Sequence, residues 1–245
     1  MKKRILSLSI VFLIFITTFL SIFYLPVTPQ VKEISYKEEK PILEKINYEK
    51  EIRELQEKYH NEDIIGKVEI PNLLEEAIVQ TSNNNYYLHY DIYHNKNIIG
   101  ASFLDFRNDI NTSRKLLIYS HSDPEGTLPF VKLTGYNKEE FWKEHPYIYL
   151  ITAKEKRKFK VFSSYIETND FDYVNLENFN GLTYKEHLEK LKNKSYVSSN
   201  IELEDTDTVL ILQTCSFVEE ISSSTKYQLV IGKEIKEKEN QKIDF

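Results

Sequence analysis

Asp207-Thr-Val-Leu-Ile-Leu-Gln-Thr-Cys-Ser-Phe217 carries four consecutive apolar residues, Val209 to Leu212, and just after them the only cysteine of the 245-residue chain. A continuous apolar run this short reads as a strand covered on both faces, and Gln213-Thr214 begin the return to polar sequence. Cys215 is therefore expected where a core strand leaves the interior. Free cysteine commonly packs as a small hydrophobe, so its position alone does not make it a nucleophile. The compartment of the domain bears on that choice.

Lys2-Lys3-Arg4 form a basic segment, residues 1–4, ahead of an uncharged apolar stretch from Ile5 to Leu25. That stretch is about 21 residues long, enough to span a bilayer as a helix. Phe23-Tyr24-Leu25-Pro26 offers no small-residue cleavage site, so residues 5–25 read as an uncleaved signal anchor. The basic cluster favours a cytoplasmic N-terminus in a single-pass cell-membrane protein, with everything after Pro26 outside. A lone cysteine cannot form an internal disulfide. An unpaired thiol in an oxidising exterior is easier to explain by reactivity than by packing. The net charge of −6, without any basic stripe, argues against nucleic-acid binding.

Residues 26–35 read as a linker and residues 36–60 as a helical segment interrupted near Pro41. In that segment Ile42, Leu43, Ile46, Ile52, Leu55 and Tyr59 recur at spacings near three and four. Short apolar runs separated by turn signals then occupy residues 61–237. Strands are expected at Ile65–Ile70, Ala77–Gln80, Ile98–Leu104, Lys115–Tyr119, Tyr147–Thr152, Phe159–Glu167, Thr208–Thr214 and Gln228–Ile235. Many short strands without regularly alternating helices indicate a mainly β domain, a barrel or sandwich. Short helices are expected at Lys138-Glu-Glu-Phe-Trp-Lys-Glu144 and, with one apolar face of Tyr184, Leu188 and Leu191, at Thr183–Lys192. Residues 238–245 form a polar tail.

A thiol is mostly protonated at neutral pH, so a cysteine nucleophile needs a base or a nearby positive charge. Of the six histidines, His60 lies in the charged helical segment, His187 beside the apolar face of its helix, and His145 at a helix C-terminus that favours a cation. His89 and His94 have helical-pair spacing, but their segment lacks the glutamate of a zinc-protease motif, and no metal is expected. His121 differs. It follows Leu116-Leu-Ile-Tyr119, a second buried-type strand, and opens the polar loop Ser122-Asp-Pro-Glu-Gly126, the same topological place as Cys215. If the two strands are neighbours, thiol and imidazole meet there. Asp105 and Asp123 are the available carboxylates for orienting the imidazole.

These residues resemble the class B sortases, membrane-anchored cysteine transpeptidases of Gram-positive bacteria. Leu212-Gln-Thr-Cys215 is similar to the signature Thr-Leu-x-Thr-Cys, with Ile211 in place of the first threonine. Tyr119-Ser-His-Ser122 resembles the Tyr-Gly-His-Asn around the family's catalytic histidine. Ile65-Gly-Lys-Val-Glu-Ile-Pro71, Asn85-Tyr-Tyr-Leu88, Gly100-Ala-Ser-Phe-Leu-Asp-Phe-Arg-Asn108 and Glu144-His-Pro-Tyr-Ile148 also resemble class B segments in the same order. The resemblance implies an eight-stranded β-barrel with N-terminal helices and a helix inserted between strands 6 and 7. It further implies that Cys215 attacks a C-terminal sorting motif of the LPxTG or NPxTx kind in surface proteins, giving a thioester. An amine of a peptidoglycan precursor then resolves that thioester, with His121 as general acid and base and no cofactor. Thr214 and Ser216 would contact the substrate, and residues 169–207 would wall the peptide groove.

One element of the pattern is missing. Sortases carry an arginine at the start of the last strand that stabilises the oxyanion, whereas no arginine follows Cys215 here. Lys226-Tyr-Gln-Leu-Val-Ile-Gly232 resembles that strand and puts Lys226 or Tyr227 near the arginine position. Two other readings therefore stand beside the transpeptidase: an impaired, sortase-like peptide-binding protein, and a cysteine peptidase that hydrolyses the thioester.

Overall fold

The computed structural model describes residues 47–217 and 226–236. The expected anchor, the linker, the helical segment up to residue 46 and the polar tail lie outside the described residues. Among the described residues, no helix is long and apolar enough to cross a membrane.

Helix α1 (Tyr48–Tyr59) starts at Asn47, whose side chain accepts a hydrogen bond from Lys50 N at 3.0 Å. It ends on His60 in the left-handed conformation, φ 50°. Ile52 is buried, and Tyr48, Leu55 and Tyr59 pack with it against Ile64, Val79 and Ile151. The spacing of those residues puts them on one face, so the helix covers one side of the sheet with that stripe alone.

Eight strands follow: β1 Ile64–Ile70, β2 Leu74–Val79, β3 Phe103–Leu104, β4 Lys115–Tyr119, β5 Tyr147–Thr152, β6 Lys156–Glu167, β7 Val209–Cys215 and β8 Tyr227–Glu234. They close into a barrel in the order β1-β2-β3-β4-β7-β8-β6-β5, the sortase-type barrel expected from the sequence. Closure leaves no free sheet edge. The β4–β7 pair is parallel, Lys115 to Tyr119 against Val209 to Gln213. A parallel pair needs a long crossover, and residues 120–208 supply it by building β5, β6 and the inserted helix.

Strand alternation sorts the apolar residues into two cores. Leu116, Ile118, Leu210, Leu212 and Val230 point into the barrel with Val68, Ile78, Phe130 and Leu150. Leu117, Val209, Ile211, Leu229 and Ile231 point outward, which would expose them were the outer face not covered. The cover is the β6–β7 insertion, which holds a 3-10 turn at Asp172–Val174 and helix α3 (Tyr184–Asn193). Tyr173, Tyr184, Leu188 and Leu191 press onto that outer face. The helix begins with a full capping box between Thr183 and Glu186, which satisfies two otherwise orphaned amides. The second short helix, α2 (Glu139–Glu144), follows a 3-10 stretch at Pro129–Asn137.

The β3 segment departs most from its expected range. Instead of a strand over Ile98–Leu104, only Phe103–Leu104 pair. Gly100 sits at φ +65° and Ile98 is 87 % exposed, so the chain turns where apolar content alone suggested extension. Strand β2 begins three residues earlier than expected, at Leu74, because the turn after Ile70 is a tight hairpin, closed by Leu73 N–H donating to Ile70 O at 3.0 Å.

Candidate active site

The two motif residues converge through the parallel β4–β7 pair. Tyr119 pairs with Gln213, and Ser120 N–H donates to Gln213 O at 3.0 Å, so the register continues past the end of β4. Two residues further along each chain stand His121 and Cys215. The outward-facing series Leu117, Tyr119 and Val209, Ile211, Gln213 predicts by period two that both side chains emerge on the outer face. The Ser122 hydroxyl donates to Cys215 O at 2.6 Å and ties the loop after His121 to the end of β7.

The row continues across the sheet. Cys215 pairs directly with Tyr227 on β8, and Tyr227 pairs with Glu167 on β6. Residues opposite one another in an antiparallel pair share a face. Cys215, Tyr227 and Glu167 thus line up across three strands, at inter-strand steps of about 5 Å, and His121 follows the end of the neighbouring strand β4. Ser216 N–H donates to Lys226 O at 2.8 Å, so Lys226 occupies the next position, which alternation assigns to the other face.

The insertion closes over this row. Phe171 packs edge-on against Tyr227, with ring centroids 5.9 Å apart, and Tyr173 is 2 % exposed. The Tyr173 hydroxyl is pushed up first by burial, then by Tyr227, Glu167 and Cys215, which places it in electrostatic reach of the row. Lys194 of the insertion pairs with the buried Glu167 carboxylate at 2.7 Å. Thr214 and Ser216 are buried and alternate to the other face from Cys215; the Thr214 hydroxyl has no hydrogen-bond partner.

Burial governs the charge state of the pair. It pushes the half-buried Cys215 thiol above its ordinary pKa. It pushes His121 down, with a smaller contribution from His89. Burial thus disfavours the charged form of each group, the thiolate of Cys215 and the imidazolium of His121. His121 Nε2 is buried with no hydrogen-bond partner. A Cβ added to Gly100 would lie 3.2 Å from it, so the glycine's bare backbone closely approaches this ring nitrogen.

Neither expected carboxylate orients the imidazole. Asp105 accepts from Arg107, from the Tyr119 hydroxyl at 2.8 Å and from Asn84 Nδ2. Asp123 is spent on the Thr127 hydroxyl and on the amides of Thr127 and Leu128. His94 is held by the Tyr86 hydroxyl at 3.1 Å, and His145 by Pro71 O. Among the described residues no group of three or more His, Cys, Asp or Glu could hold a metal ion.

No family model matches the sequence. The chain is 29% identical over 178 residues to Sortase B of Staphylococcus aureus, covering 72% of each chain. It is also 29% identical over 167 residues to Sortase B of Listeria monocytogenes, covering 67% of each. Among solved structures, a Staphylococcus aureus sortase B–substrate complex superposes with TM-score 0.65 at 26% identity, over 77% of this chain and 93% of that one. The Listeria monocytogenes sortase B superposes with TM-score 0.62 at 27% identity, over 74% of this chain and 98% of that one. The fold is also that of Clostridium perfringens sortase B, with TM-score 0.67 at 24% identity.

Its relatives and its structural neighbours are consistently class B sortases, and the chain is similar to them over most of the described residues. That similarity supports a reaction of the cysteine-transpeptidase type and attachment to the membrane. Among the described residues of this chain, no arginine fills the place missing at the start of β8. Arg53 pairs with Glu49 on α1, Arg107 with Asp105, and Arg157 with Glu234, while Arg114 donates to Asp205 O. The residue opposite Cys215 is Tyr227, a position that sequence spacing alone left open between Lys226 and Tyr227 because the register turns on a single residue.

Proposed function

We propose that this protein cleaves a C-terminal sorting motif of the LPxTG or NPxTx kind in surface proteins and joins the new carboxyl end to a cell-wall amine. The observation that carries the reading is that β4 and β7 are parallel neighbours, with His121 two residues beyond Tyr119 and Cys215 two residues beyond its partner Gln213, while Cys215 pairs with Tyr227 on β8. The Cys215 thiolate attacks the carbonyl of the motif threonine, and the scissile C–N bond breaks as the C–S bond persists in a thioester. His121, protonated in the reactive form, gives its proton to the departing amine. The amine of a peptidoglycan precursor then attacks the thioester, loses its proton to His121 and releases Cys215. The phenol of Tyr227 donates to the oxyanion in both tetrahedral intermediates, in place of the family arginine. Thr214 and Ser216 meet the substrate through their backbone, since their side chains alternate away from Cys215.

Two features favour a slower enzyme. A phenol is neutral and offers one donor where a guanidinium offers a charged fork. Burial also disfavours the thiolate and the imidazolium that the reaction uses. The same features motivate the second reading, a sortase-like protein that holds peptides without turning them over. Adding a triglycine amine to the full-length enzyme and a sorting-motif peptide separates the outcomes by mass spectrometry. Ligated product supports transfer; free acid alone, unchanged by rising triglycine, assigns the protein to hydrolysis instead.

A further inference from the structure

At the end of β4 remote from His121, a cavity of about 700 Å³ opens on the outer face of the barrel. Its walls are the loop that leads into β4 and the segment of the insertion that follows the 3-10 turn. Arg107, Arg114 and Lys115 line it together with Asn108 and Asn178, while Glu177 is its one acidic lining residue. With three cations against one carboxylate, the cavity wall is net positive on a chain of net charge −6.

Each cation is held from behind. Arg107 gives Nε and Nη2 to Asp105 at 2.8 and 2.7 Å. Arg114 stacks over the Tyr184 ring at 4.8 Å and gives Nη1 to Asp205 O. Lys115 is 3 % exposed, and its amine donates to Asn175 O at 2.6 Å and contacts His187 Nε2 at 2.7 Å, with no carboxylate in ion-pairing range. The nearest acid that acts on it, Asp172, is already paired with Lys190. Arg107 already has its carboxylate in Asp105, but the buried Lys115 amine and Arg114 line the same polar cavity with no ion pair to a carboxylate among the described residues, an arrangement that a bound anion would complete.

We propose that this cavity binds a small, doubly charged oxyanion of the phosphate-monoester or sulfate type, with Arg107, Arg114 and Lys115 as its cationic contacts. Arginine forks suit tetrahedral oxyanions. Because Arg107 and Arg114 belong to the barrel and Asn175 and Asn178 to the insertion, the bound anion would link the wall of the substrate groove to the sheet. Burial, with help from Arg107, brings the Lys115 amine down to about 7, and Asp172 opposes this. His187 is held at about 3 by burial and by Lys115, with Lys190 and Lys194 adding to the effect, so it stays neutral. An anion in the cavity raises the Lys115 pKa. Binding therefore takes up a proton, and affinity falls as pH rises above 7, by up to about tenfold per pH unit.

The test is calorimetric titration of the full-length protein in nonionic detergent with sodium sulfate, which remains a dianion from pH 6.5 to 8.5, at ionic strength held constant with chloride. Saturable one-to-one binding is expected at pH 6.5, at least about tenfold weaker at pH 8.5, and displaced by glycerol 1-phosphate. Arg114→Gln, a surface change, should weaken binding about tenfold or more, the scale of one charge-assisted contact, and Lys115→Met should abolish the pH dependence. Heat that tracks ionic strength without saturating, binding left intact by Arg114→Gln, or a failure of glycerol 1-phosphate to compete would each overturn the proposal.

Discussion

Replacing Tyr227 by phenylalanine removes one hydroxyl and nothing else from the position directly opposite Cys215. The ring contact with Phe171 and the β7–β8 register both survive the change, so the fold should be unaffected. Loss of a single oxyanion donor costs about 3–4 kcal/mol of transition-state stabilisation. Tyr227 is half-buried rather than sealed from water, which lowers the worth of its hydrogen bond and points to the bottom of that range. At 1.36 kcal/mol per decade, the expected loss is about 100-fold in kcat with little change in KM. The assay is steady-state cleavage of an internally quenched sorting-motif peptide, with circular dichroism to confirm folding. Lys226→Ala is the matched control, because alternation turns its side chain to the other face; its kcat should change less than about threefold. Wild-type kcat in Tyr227→Phe together with a large loss in Lys226→Ala would refute the register argument.

Gly100→Ala should damage both stability and turnover. Its Cβ would fall 2.1 Å from Tyr87 O and 3.2 Å from His121 Nε2, at a φ of +65°. Left-handed backbone alone costs about 1–2 kcal/mol in a residue with a Cβ, and urea unfolding should register at least that much. The Cys215 thiol, pushed up by burial, should be alkylated by iodoacetamide more slowly at pH 7 than a free thiol, with a rate that still climbs beyond pH 8.5; a plateau by pH 7.5 would contradict the buried-thiol reading. Lys115 carries a stability signature of definite sign. Its folded value of about 7 lies below the 10.5 of an unconstrained lysine, so between those values the unfolded chain holds the extra proton. Unfolding free energy should then rise with pH across that window, by at most about 1.4 kcal/mol per unit, and Lys115→Met should flatten the slope in urea titrations at pH 7.5 and 9.5. Arg157→Ala strands the Glu234 carboxylate and Ile110 O, and should cost about 3–5 kcal/mol in the same assay.

Much of this architecture was legible because barrel strands carry their own signal. Leu116-Leu-Ile118 and Val209-Leu-Ile-Leu212 are apolar on both faces since one face fills the barrel and the other lies under the insertion. Residues that pair at a strand end with few apolar neighbours were harder to read. The start of β6 at Lys156 is charged, and its strand character comes from pairing with Ile151 and from the Lys156–Glu69 ion pair, neither of which sequence spacing encodes. His121 and Cys215 could be matched in sequence because each follows a core strand, and the two strands, β4 and β7, are neighbours in the barrel. Tyr227 could not be separated from Lys226, because choosing between them requires knowing the register across a strand pair. The insertion's contribution through Tyr173 and Phe171 was invisible for the same reason: both depend on how a loop folds back over the sheet. His187, placed by its sequence beside the apolar face of its helix, is buried at 1 % exposure, but its Lys115 partner comes from a strand remote in sequence.

The proposed function requires that Cys215 carry the peptide as a thioester. Full-length protein incubated with LPxTG- and NPxTx-type peptides, quenched in acid and digested, should yield by mass spectrometry a thioester-linked acyl fragment on the peptide containing Cys215. The adduct should be absent in Cys215→Ala and should disappear on addition of triglycine. Intact, unmodified Cys215 with every motif, in a folded protein that still binds the peptides, would contradict the account and leave a peptide-binding protein in place of the enzyme.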